Sequence, residues 1–230
     1  MQGKQKTEGS GWSCDGMLET ESNKGAHSAG SLGTVGDGGA ETLLDKILDR
    51  DNLNQAYKRV VKNGGAAGVD DMTVDEMLPY LRKHREEIIA SIREGWYKPK
   101  PVKRVEIPKP DGGVRQLGIP TVIDRMIQQA VMQVLQPIFE PTFSAYSYGF
   151  RPGRSAHQAI RKAREYYSEG YTSVVDIDLA KYFDTVNHDI LMELVGREVK
   201  DKAVLKLIRK FLKSGVMVDG LISPTNEGTP

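Results

Sequence analysis

The residues best suited to chemistry lie in one stretch, Val174-Val175-Asp176-Ile177-Asp178-Leu179-Ala180-Lys181-Tyr182-Phe183-Asp184. β-Branched residues run into two aspartates one residue apart, and a Tyr-Phe pair and a third aspartate follow. Side chains alternate along a strand, so Asp176 and Asp178 fall on one face. A carboxylate at a strand end is a good Mg²⁺ ligand, because hard divalent ions take oxygen donors. Two-metal phosphoryl transfer needs such a carboxylate and further ones from elsewhere. Phe183, five residues beyond Asp178, can close over a bound nucleotide. An acidic surface turn fits the same spacing, so the motif alone leaves both readings open.

A second group of candidates is basic. Lys109 and Arg115 flank the Pro110-Asp111-Gly112-Gly113 turn. Two cations on a hairpin tip can clamp a triphosphate, and Arg can do so bidentately. Lys98, Lys100, Lys103 and Arg104 lie beside them. A basic hairpin also suits a solvated sheet edge that resists aggregation. The net charge of +1 hides this bias: residues 98–116 hold six basic and two acidic side chains, and residues 196–213 hold seven and two. Separate basic stripes are compatible with a polyanionic partner. Solvated helix faces explain the 196–213 stripe equally well.

These groups need elements to position them. Residues 1–39 are rich in Gly and Ser, with some Thr, and without hydrophobic periodicity, and are expected to form a disordered tail. Order is expected from Glu41, where Leu43, Leu44, Ile47 and Leu48, then Leu53, Ala56, Tyr57, Val60 and Val61, recur at helical spacing. Asn63-Gly64-Gly65 stops that run. Thr73 with Glu76 reads as a capping box for a helix to about Arg93, with Met77, Leu78, Leu81, Ile88, Ile89 and Ile92 facing the core. Val102–Ile107 and Val114–Ile119 read as hairpin arms. Thr121 caps a core helix carrying Ile123, Met126, Ile127, Ala130, Val131, Val134, Leu135 and Ile138, with Asp124 in its first turn and Pro137 and Pro141 bracketing its end. Ser155 caps a helix carrying Ala156, Ala159, Ile160 and Ala163. The aspartate strand, helices over about 188–196 and 201–213, and a strand over 216–222 complete the chain.

Composition narrows the class. With 39% hydrophobic residues the 230-residue chain can bury a real core. It has no run of ~18 apolar residues for a membrane helix and no apolar signal region, so no membrane partner is expected. Its single cysteine, Cys14, fits a reducing compartment, and a cytoplasmic setting is expected. Four scattered histidines give no zinc-ligand spacing.

Taken together the motifs resemble a known family. Ile107-Pro108-Lys109-Pro110-Asp111-Gly112-Gly113-Val114-Arg115-Gln116-Leu117-Gly118-Ile119-Pro120, with Asp124-Arg125 and Gln128 after it, resembles the first conserved block of group II intron reverse transcriptases, the maturases. Ser147-Tyr148-Gly149-Phe150-Arg151-Pro152-Gly153-Arg154-Ser155 resembles the second, and Asp176 to Asp189 the third. Gly228-Thr229-Pro230 resembles the opening of the fourth, and Asn63 to Asp70 the N-terminal extension block.

The resemblance implies an α+β fold: the fingers of a right-hand polymerase over 40–165 and the start of its palm over 166–230. It implies that Asp178 is a catalytic metal ligand, helped by the backbone carbonyl of Ile177 or Leu179. Phe183 would sit under the nucleotide sugar and exclude a 2′-hydroxyl, and Lys109 and Arg115 would hold the triphosphate. Asp176 fits either metal binding or a structural place at a helix N-terminus. Lys98, Lys100, Lys103, Arg104, Arg151 and Arg154 are the candidate RNA contacts. The implied partners are intron RNA, an RNA template with a DNA primer, deoxynucleoside triphosphates and two Mg²⁺ ions, and a homodimer is compatible with the sequence. The family completes its metal site with a Tyr-x-Asp-Asp turn beyond the fourth block. The chain is therefore expected to be a truncated piece, inactive alone. The alternatives are a retron, diversity-generating or phage-defence reverse transcriptase, a non-catalytic RNA-binding module, and a small metal-dependent phosphohydrolase. The last explains neither the hairpin nor the Arg-Pro-Gly-Arg loop.

Overall fold

The computed structural model describes residues 41–110 and 112–229. The expected N-terminal tail lies outside them. Among the described residues seven α-helices and four strands follow in the order α1 Leu43–Leu48, α2 Arg50–Asn63, α3 Val74–Arg93, β1 Val102–Pro108, β2 Val114–Ile119, α4 Val122–Phe139, α5 Ala156–Ser168, α6 His188–Glu198, α7 Lys202–Leu212, β3 Val216–Val218 and β4 Leu221–Ser223.

The first four helices form a platform. Ile47 on α1, Ala56, Tyr57 and Val60 on α2, Met77 and Leu81 on α3, and Met126, Ile127, Ala130 and Val131 on α4 are buried. Each of the Ile, Leu, Val and Met side chains among them contributes about 1.5–3 kcal/mol. Half-buried amides join the helices where carbon cannot. The Asn52 side chain donates to the carbonyls of Ile47 (2.9 Å) and Ala130 (3.1 Å). Gln133 on α4 donates back to the Asn52 side-chain oxygen at 2.7 Å. Local signals set the helix starts. The Glu76 carboxylate accepts from the Thr73 backbone N–H and hydroxyl at 2.8 Å each, which holds the Glu76 pKa below its ordinary value. Helix α4 ends at Phe139, bracketed as expected by Pro137 in its last turn and Pro141 just beyond it. So near the C-terminus Pro137 removes one backbone bond without stopping the helix.

The sheet has strand order β2-β1-β3-β4. β1 and β2 form the expected antiparallel hairpin, with Lys103 opposite Ile119 and Ile107 opposite Arg115. β3 joins the other edge of β1 in parallel, Val102 beside Val216. The single strand expected over 216–222 is two short strands. Asp219 and Gly220 both take positive φ, 48° and 81°, the turn geometry that matches strand twist in a two-residue hairpin.

The aspartate strand does not form. Residues 171–179 make no ladder and are exposed throughout. A strand is stabilised by its neighbour, and no described strand runs beside this one. Helix α5 forms directly after its expected cap Ser155, but no residue on it is buried. Its expected apolar face lies open, with Ile160 58% exposed.

Candidate active site

The hairpin presents its cations on different faces. Arg115 pairs with Ile107 and Gln116 with Glu106. Arg115 therefore shares a face with Val105, Ile107 and Leu117, while Arg104 and Gln116 share the other. Lys109 closes the tip, its N–H donating to the Gly113 carbonyl at 2.7 Å. The Lys109 and Arg115 side chains are both exposed. The Arg104 guanidinium donates to the Gln116 side-chain oxygen across the strands.

The third block is held by its turn and by the fourth block. Lys181 has φ +51°, and Tyr182–Asp184 make one 3-10 turn. The Asp184 N–H donates to the Lys181 carbonyl at 2.9 Å. Phe183 is 68% exposed and touches Tyr182 edge to face at 5.3 Å. Gly228 and Thr229 then lie against this turn. The Thr229 N–H donates to the Phe183 carbonyl at 2.7 Å, and the Gly228 N–H to the Val186 carbonyl at 2.8 Å. A Cβ on Gly228 would come within 2.7 Å of the Asp184 carbonyl oxygen, and the φ there is +80°, so only glycine fits.

Arg104, Gln116, Lys181, Asp184, Gly228 and Thr229 consequently line one cavity of about 250 Å³. Of the residues read as functional in the sequence, Arg104 faces this cavity, whereas Lys109, Arg115, Asp176, Asp178 and Phe183 do not line it. Asp178 and its neighbours Ile177 and Leu179 stand exposed on the unpaired segment. Asp178 thus offers one hard oxygen ligand. Among the described residues no group of three His, Cys, Asp or Glu side chains converges.

The remaining basic candidates have protein partners. Lys100 pairs with Asp70 at 3.2 Å and Lys103 with Asp71 at 3.1 Å. All five donors of Arg151 are used locally, by the Glu140 carboxylate and carbonyl and the Ser144 and Ser147 carbonyls. Arg151 also lies over the Phe143 ring at 5.3 Å, so here it pins its own loop. Arg154 lies over the Tyr148 ring at 5.7 Å. Lys98 is exposed. On α7, the Lys210 ammonium donates to the Gly95 and Tyr97 carbonyls at 2.9 and 2.7 Å, and its burial pushes the pKa down.

Sequence reasoning missed the weight of Asp124. It was read as a helix-dipole partner, yet it is 1% exposed. Its carboxylate accepts from the Tyr97 hydroxyl (2.8 Å), the Lys100 N–H (3.1 Å) and the Thr121 hydroxyl (2.8 Å). It thereby ties the entry to β1 onto the start of α4. Burial raises its pKa, opposed by those three donors. Burial, with the Asp124 charge second, pushes the Tyr97 phenol up as well. The spacing Thr121-x-x-Asp124 matches a capping box with Asp in place of Glu and was the available signal. The N-terminal extension block docks beside it. Arg125 donates to the Gly64 and Ala66 carbonyls at 3.0 and 2.8 Å, and a Cβ on Gly68 would meet the Thr121 Cα at 2.7 Å.

Comparison with known proteins gives this arrangement a family. A profile of the Reverse transcriptase (RNA-dependent DNA polymerase) family matches residues 107–230, more than half of the chain. The chain is 36% identical over 196 residues to Protein YkfC of Escherichia coli (strain K12), covering 83% of this chain and 51% of that protein. It is 37% identical over 191 residues to the group II intron-encoded protein LtrA of Lactococcus lactis subsp. cremoris, covering 82% of this chain and 31% of LtrA. It is 33% identical over 139 residues to Nuclear intron maturase 1, mitochondrial, of Arabidopsis thaliana, covering 60% of this chain and 18% of that protein. The chain thus spans about half the length, or less, of these relatives. Among solved structures, a chain of the partial Cas6-RT-Cas1–Cas2 complex superposes with a TM-score of 0.55 at 23% identity, over 83% of this chain and 32% of that one. That likeness extends to the fold. Among the described residues no helix is long and apolar enough to cross a membrane. The chain belongs to the reverse transcriptase (RNA-dependent DNA polymerase) family, with group II intron-encoded proteins and intron maturases among its relatives.

Proposed function

We propose that the chain forms the fingers, over 40–165, and the start of the palm, over 166–230, of an RNA-directed DNA polymerase of the group II intron maturase type. The observation that carries this reading is the shared cavity. The hairpin, the third block and the fourth block are far apart in sequence, and residues of all three line it. A site that grips a nucleotide between a basic hairpin and a palm needs these parts side by side, with Lys109, Arg115, Asp178 and Phe183 on the same elements but outside the cavity itself.

In the intact enzyme the primer 3′-hydroxyl would lose its proton to solvent as its oxygen bonds to the α-phosphorus of the incoming deoxynucleotide and the bond to the leaving pyrophosphate breaks. Two Mg²⁺ ions, once bound, supply Lewis-acid stabilisation of the phosphoryl oxygens. Asp178 and the carbonyl of Ile177 or Leu179 would supply part of their ligand set. Lys109 and Arg115 neutralise the triphosphate, Phe183 packs against the sugar, and Lys98, Lys100, Lys103, Arg104 and Arg154 meet nucleic-acid phosphates. Intron RNA is the proposed partner for binding and splicing. Primer extension on an RNA template tests the reading. The intact enzyme is expected to incorporate deoxynucleotides in a template-directed way. Asp178→Asn should abolish incorporation with RNA binding retained, and Asp176→Asn should cost much less. Full activity in Asp178→Asn would refute it.

A further inference from the structure

We infer that His188 is a positioning residue for the nucleotide site, acting through Gly228 on the backbone of Phe183. The inference rests on the proposed place of Phe183 beside the incoming sugar. Phe183 is mostly exposed, so packing does little to orient it. Its backbone is what the structure holds. The Phe183 carbonyl accepts from the Thr229 N–H at 2.7 Å and from the Thr229 hydroxyl at 3.4 Å. Thr229 keeps that place because Gly228 rests on the Asp184 and Phe183 carbonyls, with room for a hydrogen and none for a methyl.

The Gly228 carbonyl is in turn the partner of His188, whose Nε2 lies 2.7 Å away. A carbonyl only accepts, so Nε2 carries the proton. His188 is 3% exposed, and its Nδ1 is buried with no partner among the described residues. The ring's one polar contact is therefore the Gly228 carbonyl. Its own location is set from the other side. Asn187 caps α6 by accepting from the Asp189 and Ile190 N–H groups at 2.9 and 3.0 Å, which fixes His188 as the first helical residue. Asn187 also bridges to Glu227 in an isolated antiparallel pair. The chain of restraint thus runs from the α6 N-terminus to His188, Gly228, Thr229 and Phe183.

Hydrogen exchange on the chain and steady-state kinetics on the intact enzyme test this together. His188→Ala removes the donor and is expected to deprotect the Gly228 and Thr229 amides while the α4 amides of Ile127 and Ala130 stay protected. His188→Gln, which carries an amide donor at similar reach, is expected to restore most of that protection. In the intact enzyme His188→Ala should raise the deoxynucleotide KM and weaken discrimination against ribonucleotides by roughly 3–10-fold, the equivalent of one hydrogen bond. Its kcat should move less, and Gln should again rescue. Unchanged protection at 228–229 would overturn the clamp, and deprotection extending to α4 would make His188 a core residue instead. Lost protection with unchanged KM and selectivity would overturn the link to Phe183. If the unsubstituted intact enzyme fails to extend primers, the polymerase reading fails, while the exchange data still decide the clamp.

Discussion

The helical platform α1–α4 and the segment that follows it are built on opposite terms. Ile47, Met77, Val122, Ile127 and Ala130 in the platform are at most 1% exposed. Between Val131 and His188 no described residue is buried. Val174, Val175 and Ile177 are 92%, 82% and 81% exposed, although their side chains are as apolar as those of the platform. The residues proposed as metal ligand and sugar wall, Asp178 and Phe183, lie in the open segment with Asp176. On the proposed function, stability and this part of the chemistry are carried by separate parts of the chain, and substitutions should separate them.

The largest effect on stability is expected in the platform. Ile127→Ala should cost about 2–5 kcal/mol by leaving a cavity in a packed interior. Ile160→Ala on α5 should stay within about 0.5 kcal/mol, as an exposed substitution does. Urea denaturation of both variants checks the contrast, and equal losses would erase the distinction between the two regions.

Asp124 should rank next. Asp124→Ala strands the Tyr97 hydroxyl and the Lys100 N–H, for a loss of about 1–3 kcal/mol. Asp124→Asn keeps acceptors for part of the set and should lose less. The sign of the pH dependence follows from burial. The folded pKa of Asp124 lies above the ordinary value of 3.8. Its favourable contribution is therefore complete below the unfolded pKa and falls away as pH rises through the folded pKa. Melting temperatures of the unsubstituted protein and Asp124→Asn, compared between about pH 7 and about pH 4, should show the unsubstituted protein gaining on the variant toward acid. A gain toward neutral pH would mean that the three donors outweigh desolvation.

The smallest effect concerns the hairpin. Replacing Lys98, Lys100, Lys103 and Arg104 together by Gln should flatten the dependence of log K on log salt for single-stranded RNA. The change should be about 0.7 for each cation that meets a phosphate. Lys100 and Lys103 must first leave Asp70 and Asp71, so Asp70→Asn with Asp71→Asn should strengthen RNA binding. A folded quadruple variant with an unchanged slope would make the stripe a solvated edge.

Much of the platform was legible in the sequence because its signals are local. The Thr73–Glu76 box, the Thr121 cap and the apolar spacing of Ile123, Ile127 and Ala130 each specify structure within a few residues. The hairpin was legible for the same reason. Pairings across the chain were not. Nothing local announces that Val102 lies beside Val216, or that His188 reaches Gly228 across 40 residues. The β-branched run at 174–177 has strand propensity, but propensity acts through a neighbouring strand. None is beside it among the described residues, so the segment stays unpaired. Arg151 shows the same limit. Its type suggested a phosphate partner, and only the folded loop reveals that Glu140, Ser144 and Ser147 occupy its donors.

The central claim is that the open segment carries the chemistry, with Phe183 as the wall of the nucleotide site. Single-nucleotide extension by Phe183→Val in the intact enzyme, comparing ribo- with deoxynucleotide at one template position, tests it most directly. The account predicts ribonucleotide incorporation raised relative to deoxynucleotide by about tenfold or more, since removing the ring opens space at C2′, with the melting temperature nearly unchanged because the ring is exposed. Unchanged sugar selectivity accompanied by a large loss of stability would contradict it and make Phe183 a structural residue.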